Sequence, residues 1–265
     1  MMKVLVTVKE VARVADDFEI EGTEVGEQYR EYDLNEWDDY AIESAVQLAE
    51  AGDDVEVVTA TIGPERSEET IRMALAKGAD RAIRVWDDTL DGVETLDVGA
   101  KAEILAGVVE AEEPDLVLSG VQAEDDAFGG TGVALAERVG YGWAAVVNDL
   151  DLEPGGDVAS VRRELEGGVE ELTDVDLPAV LTIQTGINEP RYASLRGIRQ
   201  AQSKELDVQT LADLGLDAAA ADSRIDVIEM FVPETESDAE LFEGDAGESA
   251  AKLAGVLRDK GVSAE

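Results

Sequence analysis

Short aliphatic runs alternate with longer amphipathic stretches from Lys3 to Leu150, and few folds tolerate such a rhythm. Lys3 to Val8 (KVLVTV) is an apolar run bounded by charges, as a buried parallel strand requires. Residues 16–33 form a polar excursion with Gly22 and Gly26, expected as a β-hairpin or loop. From Glu36 to Glu50, Trp37, Tyr40, Ala41, Ala45, Val46, Leu48 and Ala49 recur at helical spacing, with Asn35 as the expected N-cap and Gly52 as the stop. The alternation continues with a strand over Val55 to Ile62, a helix over Ser67 to Lys77 closed by Gly78, and a strand over Arg81 to Val85. A helix over Val98 to Ala111, a strand over Asp115 to Ser119, a helix over Thr131 to Val139 and a strand over Ala144 to Leu150 complete it. Strands alternating with helices of this length predict βαβ units, hence an α/β fold with a mostly parallel twisted sheet and helices on both faces.

After Leu150 the pattern changes. Val158 to Leu165 and Val169 to Leu172 flank Glu166-Gly167-Gly168, whose glycines suit the positive φ of a hairpin turn, so 158–173 reads as a β-hairpin. Leu177 to Gln184 reads as a further strand, and Asn188 to Lys204 as an exposed connection ending in a short helix. From Val232 the chain becomes an acidic linker, and Glu248 to Lys260 is patterned as a last amphipathic helix. The expected division is a main domain over 1–231 and a C-terminal arm over 232–265 that packs on a partner subunit.

The formal net charge of -41 comes from 62 acidic against 21 basic residues, which argues against nucleic acid as a partner. The acids are spread through ordered periodic blocks, so a disordered tail does not account for them. A carboxylate surface of this density suits a high-salt cytoplasm, where a Debye length of a few ångströms, about 3 Å at 1 M, damps self-repulsion. We therefore expect a halophilic, cytoplasmic protein. No apolar run approaches the roughly 20 residues that span a bilayer, and the chain enters a strand at once, so we expect no membrane insertion and no processed leader. With no histidine and no cysteine, imidazole bases, thiol nucleophiles, disulfides and iron-sulfur ligation are excluded.

In an open α/β sheet, ligands bind beyond the carboxyl ends of the strands. The segments to inspect are Thr7 to Glu10, Ile62 to Arg66 and above all Ser119 to Gly132 (SGVQAEDDAFGGTG). The last passes Gln122, Ala123, Glu124, Asp125 and Asp126 and enters a helix through Gly129-Gly130-Thr131-Gly132. Glycine-rich backbone at a helix start presents unpaired amides that suit a phosphate, although plain capping has the same signature. The string is neither GxxxxGK[ST] nor GxGxxG, and the loop has no lysine to neutralise a triphosphate, so a monophosphate such as AMP, or one end of a larger adenine cofactor, fits better than ATP. Trp37 and Tyr40, beside Asn35 and Asp39, either line an adenine pocket or belong to the core. The acids at 124–126 are assigned no metal.

NEPRYASL at Asn188, with LPAV at Leu177, RELEGGVE at Arg163, ETIRMALAKGADRAIRV at Glu69 and GVQAEDD at Gly120, closely resembles electron transfer flavoprotein β subunits, here of a haloarchaeal acidic type. The matches run in family order from Lys3 to about Leu216. The resemblance implies an α/β domain of the adenine nucleotide α-hydrolase type that pairs with an α subunit. It also implies FAD held mainly by that α subunit and AMP buried in this chain. The implied AMP contacts fall on Thr7 and Lys9, on Asn35, Glu36, Trp37 and Asp38, on Ile62, and on Gln122 to Thr131. Arg191, Tyr192 and Leu195 fall in the family's recognition loop, in which a leucine inserts into a dehydrogenase.

The implied function is electron carriage, without an enzyme's own catalysis, from acyl-CoA and other dehydrogenases of fatty acid oxidation to a membrane quinone oxidoreductase. Two alternatives stay open. In the electron-bifurcating subgroup a second FAD replaces AMP and NADH is oxidised; SLRGI at Ser194 leans that way, while DDxxxxTG at Asp125 leans toward AMP. A universal-stress-type homodimer would bind ATP without a flavoprotein partner. The chain departs from the family where Val121 replaces a lysine and Gly129-Gly130 replaces an Asn-Gln pair.

Overall fold

The computed structural model describes residues 1–52, 54–93, 95–232 and 239–262. It divides into one unit over Met1–Met230 and a second over Phe231–Glu265. In the first, β1 (Met2–Thr7) leads into β2 (Glu10–Val14), β3 (Ile20–Glu21), β4 (Glu24–Val25), β5 (Arg30–Leu34) and α1 (Glu36–Ala51). Then come β6 (Val55–Ile62), α2 (Glu68–Lys77), β7 (Arg81–Val85), α3 (Val98–Glu112), β8 (Leu116–Gly120) and α4 (Thr131–Val139). The remainder is β9 (Gly142–Asp151), β10 (Val158–Leu165), β11 (Val169–Asp176), β12 (Ala179–Ile183), α5 (Leu195–Ala201) and β13 (Leu206–Gln209).

One sheet holds nine strands in the order β11-β10-β9-β12-β8-β1-β6-β7-β13. All pairings from β9 to β13 are parallel, and β10 and β11 add an antiparallel hairpin beyond β9. Alternate residues of the central strands feed two cores, because successive side chains of a strand point to opposite faces. Val4, Val6, Leu116, Leu118 and Leu181 join Ile42 and Val46 of α1 and Ile71 and Leu75 of α2 on one face. Leu5, Val117 and Val180 join Ile104, Leu105 and Val108 of α3 and Leu135 of α4 on the other. The sheet is therefore mostly parallel and covered on both sides, as the alternation predicts.

Three details extend the sequence reading, the first being the hairpin expected over 16–33. The excursion after β1 is a ribbon: β2 pairs antiparallel with β5 from Glu10↔Leu34 to Val14↔Arg30, and β3 with β4 forms its tip. β11 extends past Leu172 to Asp176, because every residue of β10 keeps a partner from Val158↔Asp176 to Leu165↔Val169. β13, just past the connection expected to end at Lys204, adds a parallel edge strand on β7 that the sequence reading does not include.

The second unit contains α6 (Ala246–Asp259), whose start is capped by Asp245 accepting from the amides of Gly247 and Glu248. The expected acidic linker from Val232 runs through 233–238, which lie outside the described residues. Among the described residues, no helix is long and apolar enough to cross a membrane.

Candidate functional site

β1 and β8 are neighbours in the sheet, yet the chain after β1 builds outward through β6 and β7 while the chain after β8 builds the other way through β12 and β9. Loops that leave adjacent strand ends in opposite directions open a crevice between them. Here it is a cavity of about 570 Å³ at the carboxyl ends of β1, β6 and β8. Thr7 and Lys9 line it from β1, Ile62 and Arg66 from β6, and Ser119 to Ala123 from β8.

Asp38, in the first turn of α1 and 4% exposed, ties the two strand ends together. Its Oδ2 accepts the amide of Lys9 at 2.8 Å, and its Oδ1 accepts the amide of Gly120 at 3.0 Å. Burial pushes this carboxyl up to about 7, against the pull of those same bonds. Gly120 must be glycine, because a Cβ there would lie 2.6 Å from Asp38 Oδ1 and 3.0 Å from the Trp37 backbone carbonyl carbon.

Asn35 occupies the N-cap position of α1 but makes no side-chain cap bond, which corrects the capping role expected of it. Its buried amide is used on the loop instead: Nδ2 donates to the Gln122 carbonyl at 2.9 Å and Oδ1 accepts the Glu124 amide at 3.2 Å. A side-chain amide matches a peptide group donor for acceptor, so it can hold a loop much as a strand would.

From Gln122 the loop turns through Ala127 and Gly129, both at positive φ (51° and 64°). Asp126 Oδ1 accepts the Phe128 amide at 3.1 Å. Lys9 Nζ donates to Asp125 Oδ1 at 2.5 Å and to Asp126 Oδ2 at 2.9 Å, and Lys101 of α3 also donates to Asp126 Oδ2. Asp126 is thereby held below the usual carboxylate range, although burial alone would raise it. The loop delivers Gly129, Gly130 and Thr131 to the cavity wall, and Gly130 at the N-cap of α4 makes no side-chain cap bond. Unpaired amides of a helix start therefore face the cavity. The lining also includes an apolar part built by Ile62, Trp86, Leu90, Val93, Leu96 and Leu105. Free helix-start amides in the same cavity as an apolar surface suit a phosphate joined to a flat ring.

A second feature lies on the flank of α1. Arg191 is held there by a fork: Nε and Nη2 donate to Glu43 at 2.7 and 3.0 Å, and Nη1 and Nη2 donate to Glu50 at 2.6 and 3.0 Å. Asn188 Nδ2 donates to the Tyr40 carbonyl at 3.0 Å and to Ser44 Oγ at 2.9 Å. Lys77 Nζ reaches the Arg191 carbonyl at 3.0 Å while paired with Asp39. Beyond these anchors Tyr192 is 97% and Leu195 79% exposed, and Ser194 caps α5 by accepting the Gly197 amide at 3.0 Å. The loop is fixed in backbone and presents two large side chains to solvent.

The family model described as an electron transfer flavoprotein domain matches residues 23–214. The electron transfer flavoprotein subunit beta of Methylophilus methylotrophus is 47% identical over 264 residues, spanning 97% of this chain and 98% of the relative. The chain belongs to the electron transfer flavoprotein β-subunit family. Members from distant sources align over similar lengths: the Bacillus subtilis subunit at 32% identity over 98% of both chains, and the mitochondrial Arabidopsis thaliana subunit at 36% over 88% of this chain and 90% of the relative.

Of the residues that resemblance to electron transfer flavoprotein β subunits marks for a nucleotide, Thr7, Lys9, Asn35, Asp38, Ile62, Gln122, Ala123, Asp125, Asp126, Gly129, Gly130 and Thr131 converge on the one cavity. Glu36, Trp37 and Glu124 do not form its wall. Glu36 is exposed, Trp37 Nε1 donates to Gln184 Oε1 at 3.1 Å, and Glu124 pairs with Arg13 at 3.7 Å. Tyr40 packs against the core. Of the residues that the same resemblance marks for a recognition loop, Arg191 is held by Glu43 and Glu50, and Tyr192 and Leu195 are exposed. The apolar wall and Lys101 escape a reading confined to the strand ends. Only the scarcity of lysine, seven in the chain, signals Lys101.

Proposed function

We propose that this chain is the β subunit of a heterodimeric electron transfer flavoprotein, a carrier between acyl-CoA and other dehydrogenases and a membrane quinone oxidoreductase. The α subunit holds the redox FAD, which supplies the electron chemistry when bound, and the C-terminal arm around α6 packs on that subunit. The chain's own residues fix geometry. The cavity takes AMP, its phosphate on the amides of Gly129 to Thr131 and its base against the apolar wall. Tyr192 and Leu195 form the docking point for the dehydrogenase.

The observation that carries this reading is the cavity at the switch point, where twelve residues marked by family resemblance meet around one space. Lys9 and Lys101 are already matched by Asp125 and Asp126, and Arg66 by Glu10, which leaves little to neutralise a triphosphate and favours a monophosphate. The acidic surface supports residence in a high-salt cytoplasm. Purified heterodimer is the material for the test: nucleotides released on denaturation should contain one FAD and one AMP per dimer. Two FAD per dimer would replace AMP and establish the bifurcating alternative, and an ATP-bound homodimer would refute the carrier assignment.

A further inference from the structure

Lys101 is surrounded by features that the carrier reading does not use. It projects from the first turns of α3, and its side chain is only 16% exposed although lysine is the residue most readily left in water. Its ammonium donates to Asp126 and lies 5.2 Å from the centre of the Phe128 ring. Phe128 in turn gives its amide to Asp126. Val98, one turn earlier on α3, lies 3.4 Å from where a Gly130 Cβ would be, so the start of α3 lies close beside the turn. Burial draws the Lys101 ammonium below its ordinary pKa and nearby Lys9 adds to this, with Asp126 opposing both.

We infer that Lys101 is a positioning residue of the cavity: from a separate helix it supplies the cation that the glycine loop lacks, and with Lys9 it latches Asp126 so that Gly129 to Thr131 stay turned toward the ligand. Two lysines against Asp125 and Asp126 leave the turn electrically balanced in a chain with 62 acidic residues. Removing one leaves a half-buried carboxylate under-compensated next to a segment held in two positive-φ conformations. A partly buried pair also survives the salt that screens surface charges.

The role rests on the nucleotide reading for its binding readout and stands apart from it for its ordering readout, so both are measured. Hydrogen exchange of amides 121–131 and AMP titration calorimetry are run on the full heterodimer carrying wild-type, Lys101→Gln or Lys101→Arg chain. Amides of β10 and β11 serve as the reference for intact fold. Lys101→Gln should speed exchange at 121–131 and weaken AMP, each about tenfold, with Lys101→Arg restoring most of both. Unchanged exchange in Lys101→Gln overturns the latch, and faster exchange with unchanged AMP affinity overturns the positioning role. If wild type binds no AMP, the nucleotide reading fails while the exchange difference alone still supports or overturns the latch.

Discussion

Replacing Arg191 with methionine should cost about 3 kcal/mol of folding stability, and the figure follows from where its fork ends. The Glu43 carboxylate is buried, and the mutation deletes two charge-assisted bonds to it. Breaking one side of a buried pair costs about 3–5 kcal/mol. Glu43 keeps the Gln47 amide at 2.8 Å and the backbone amide of residue 191 at 3.2 Å, which puts the loss at the low end. The Glu50 arm adds less than about 1 kcal/mol, because Glu50 is 61% exposed. Urea unfolding at constant multimolar KCl measures the difference without varying the screening. Glu43→Gln in the same background should recover at least about 1 kcal/mol, because it removes the stranded charge. Burial pulls the Glu43 carboxyl upward, but the bonds from Arg191 and Gln47 hold it below its ordinary value. The pair therefore stabilises above the unfolded pKa and is lost as pH falls through the folded one, so the Arg191→Met deficit should shrink in acid. A loss under about 1 kcal/mol, or a double mutant no better than the single, refutes the reasoning.

Leu195→Ala should slow electron transfer from an acyl-CoA dehydrogenase while flavin content and unfolding midpoint stay at wild type; unchanged stopped-flow kinetics would remove Leu195 from the docking surface. Gly120→Ala should destabilise by about 1–3 kcal/mol and displace Asp38, since the added Cβ meets helix backbone as well as carboxylate; a wild-type midpoint contradicts the close approach. Asp38 has a folded pKa of about 7, raised from 3.8, so the native state binds the extra proton and stability falls as pH rises from about 4 through about 7. Asp38→Asn should flatten that slope in a pH series of urea midpoints, and an unaltered slope assigns it elsewhere. Dilution from multimolar to about 0.1 M KCl lengthens the Debye length from about 3 Å or less to about 10 Å and should lower the thermal midpoint of a chain carrying -41; a constant midpoint counts against halophilic adaptation.

The strands at the sheet's centre were legible because burial on both faces demands uninterrupted aliphatic runs, and β6, β7 and α4 begin and end where the pattern says. β13 was not, because Leu206–Gln209 is a short edge strand whose residues are half-buried or exposed, so it carries no such run. The excursion reads as a hairpin or loop over 16–33, but β2 starts earlier, at Glu10, and its charged, partly exposed residues leave no aliphatic run to mark the strand's bounds. At the cavity, the segments following β1, β6 and β8 could be named in advance because strand ends collect ligands. The reassignment of Asn35 could not, since an N-cap and a loop clamp use the same residue at the same helix position. Lys101 sits about twenty residues before the loop it serves, and no local spacing rule connects the two.

Helix α1 is a shared beam. Its first turn clamps two strand ends at the cavity through Asp38, and its middle and far end carry the fork that pins the loop bearing Tyr192 and Leu195. A lesion in the interior of α1, for instance at Ile42 or Val46, touches neither the cavity nor the exposed leucine. It should nonetheless present in the laboratory as a double fault, with nucleotide retention and partner turnover lost together. Genetic screens that sort variants of this chain into cofactor and docking classes will find that α1 belongs to both.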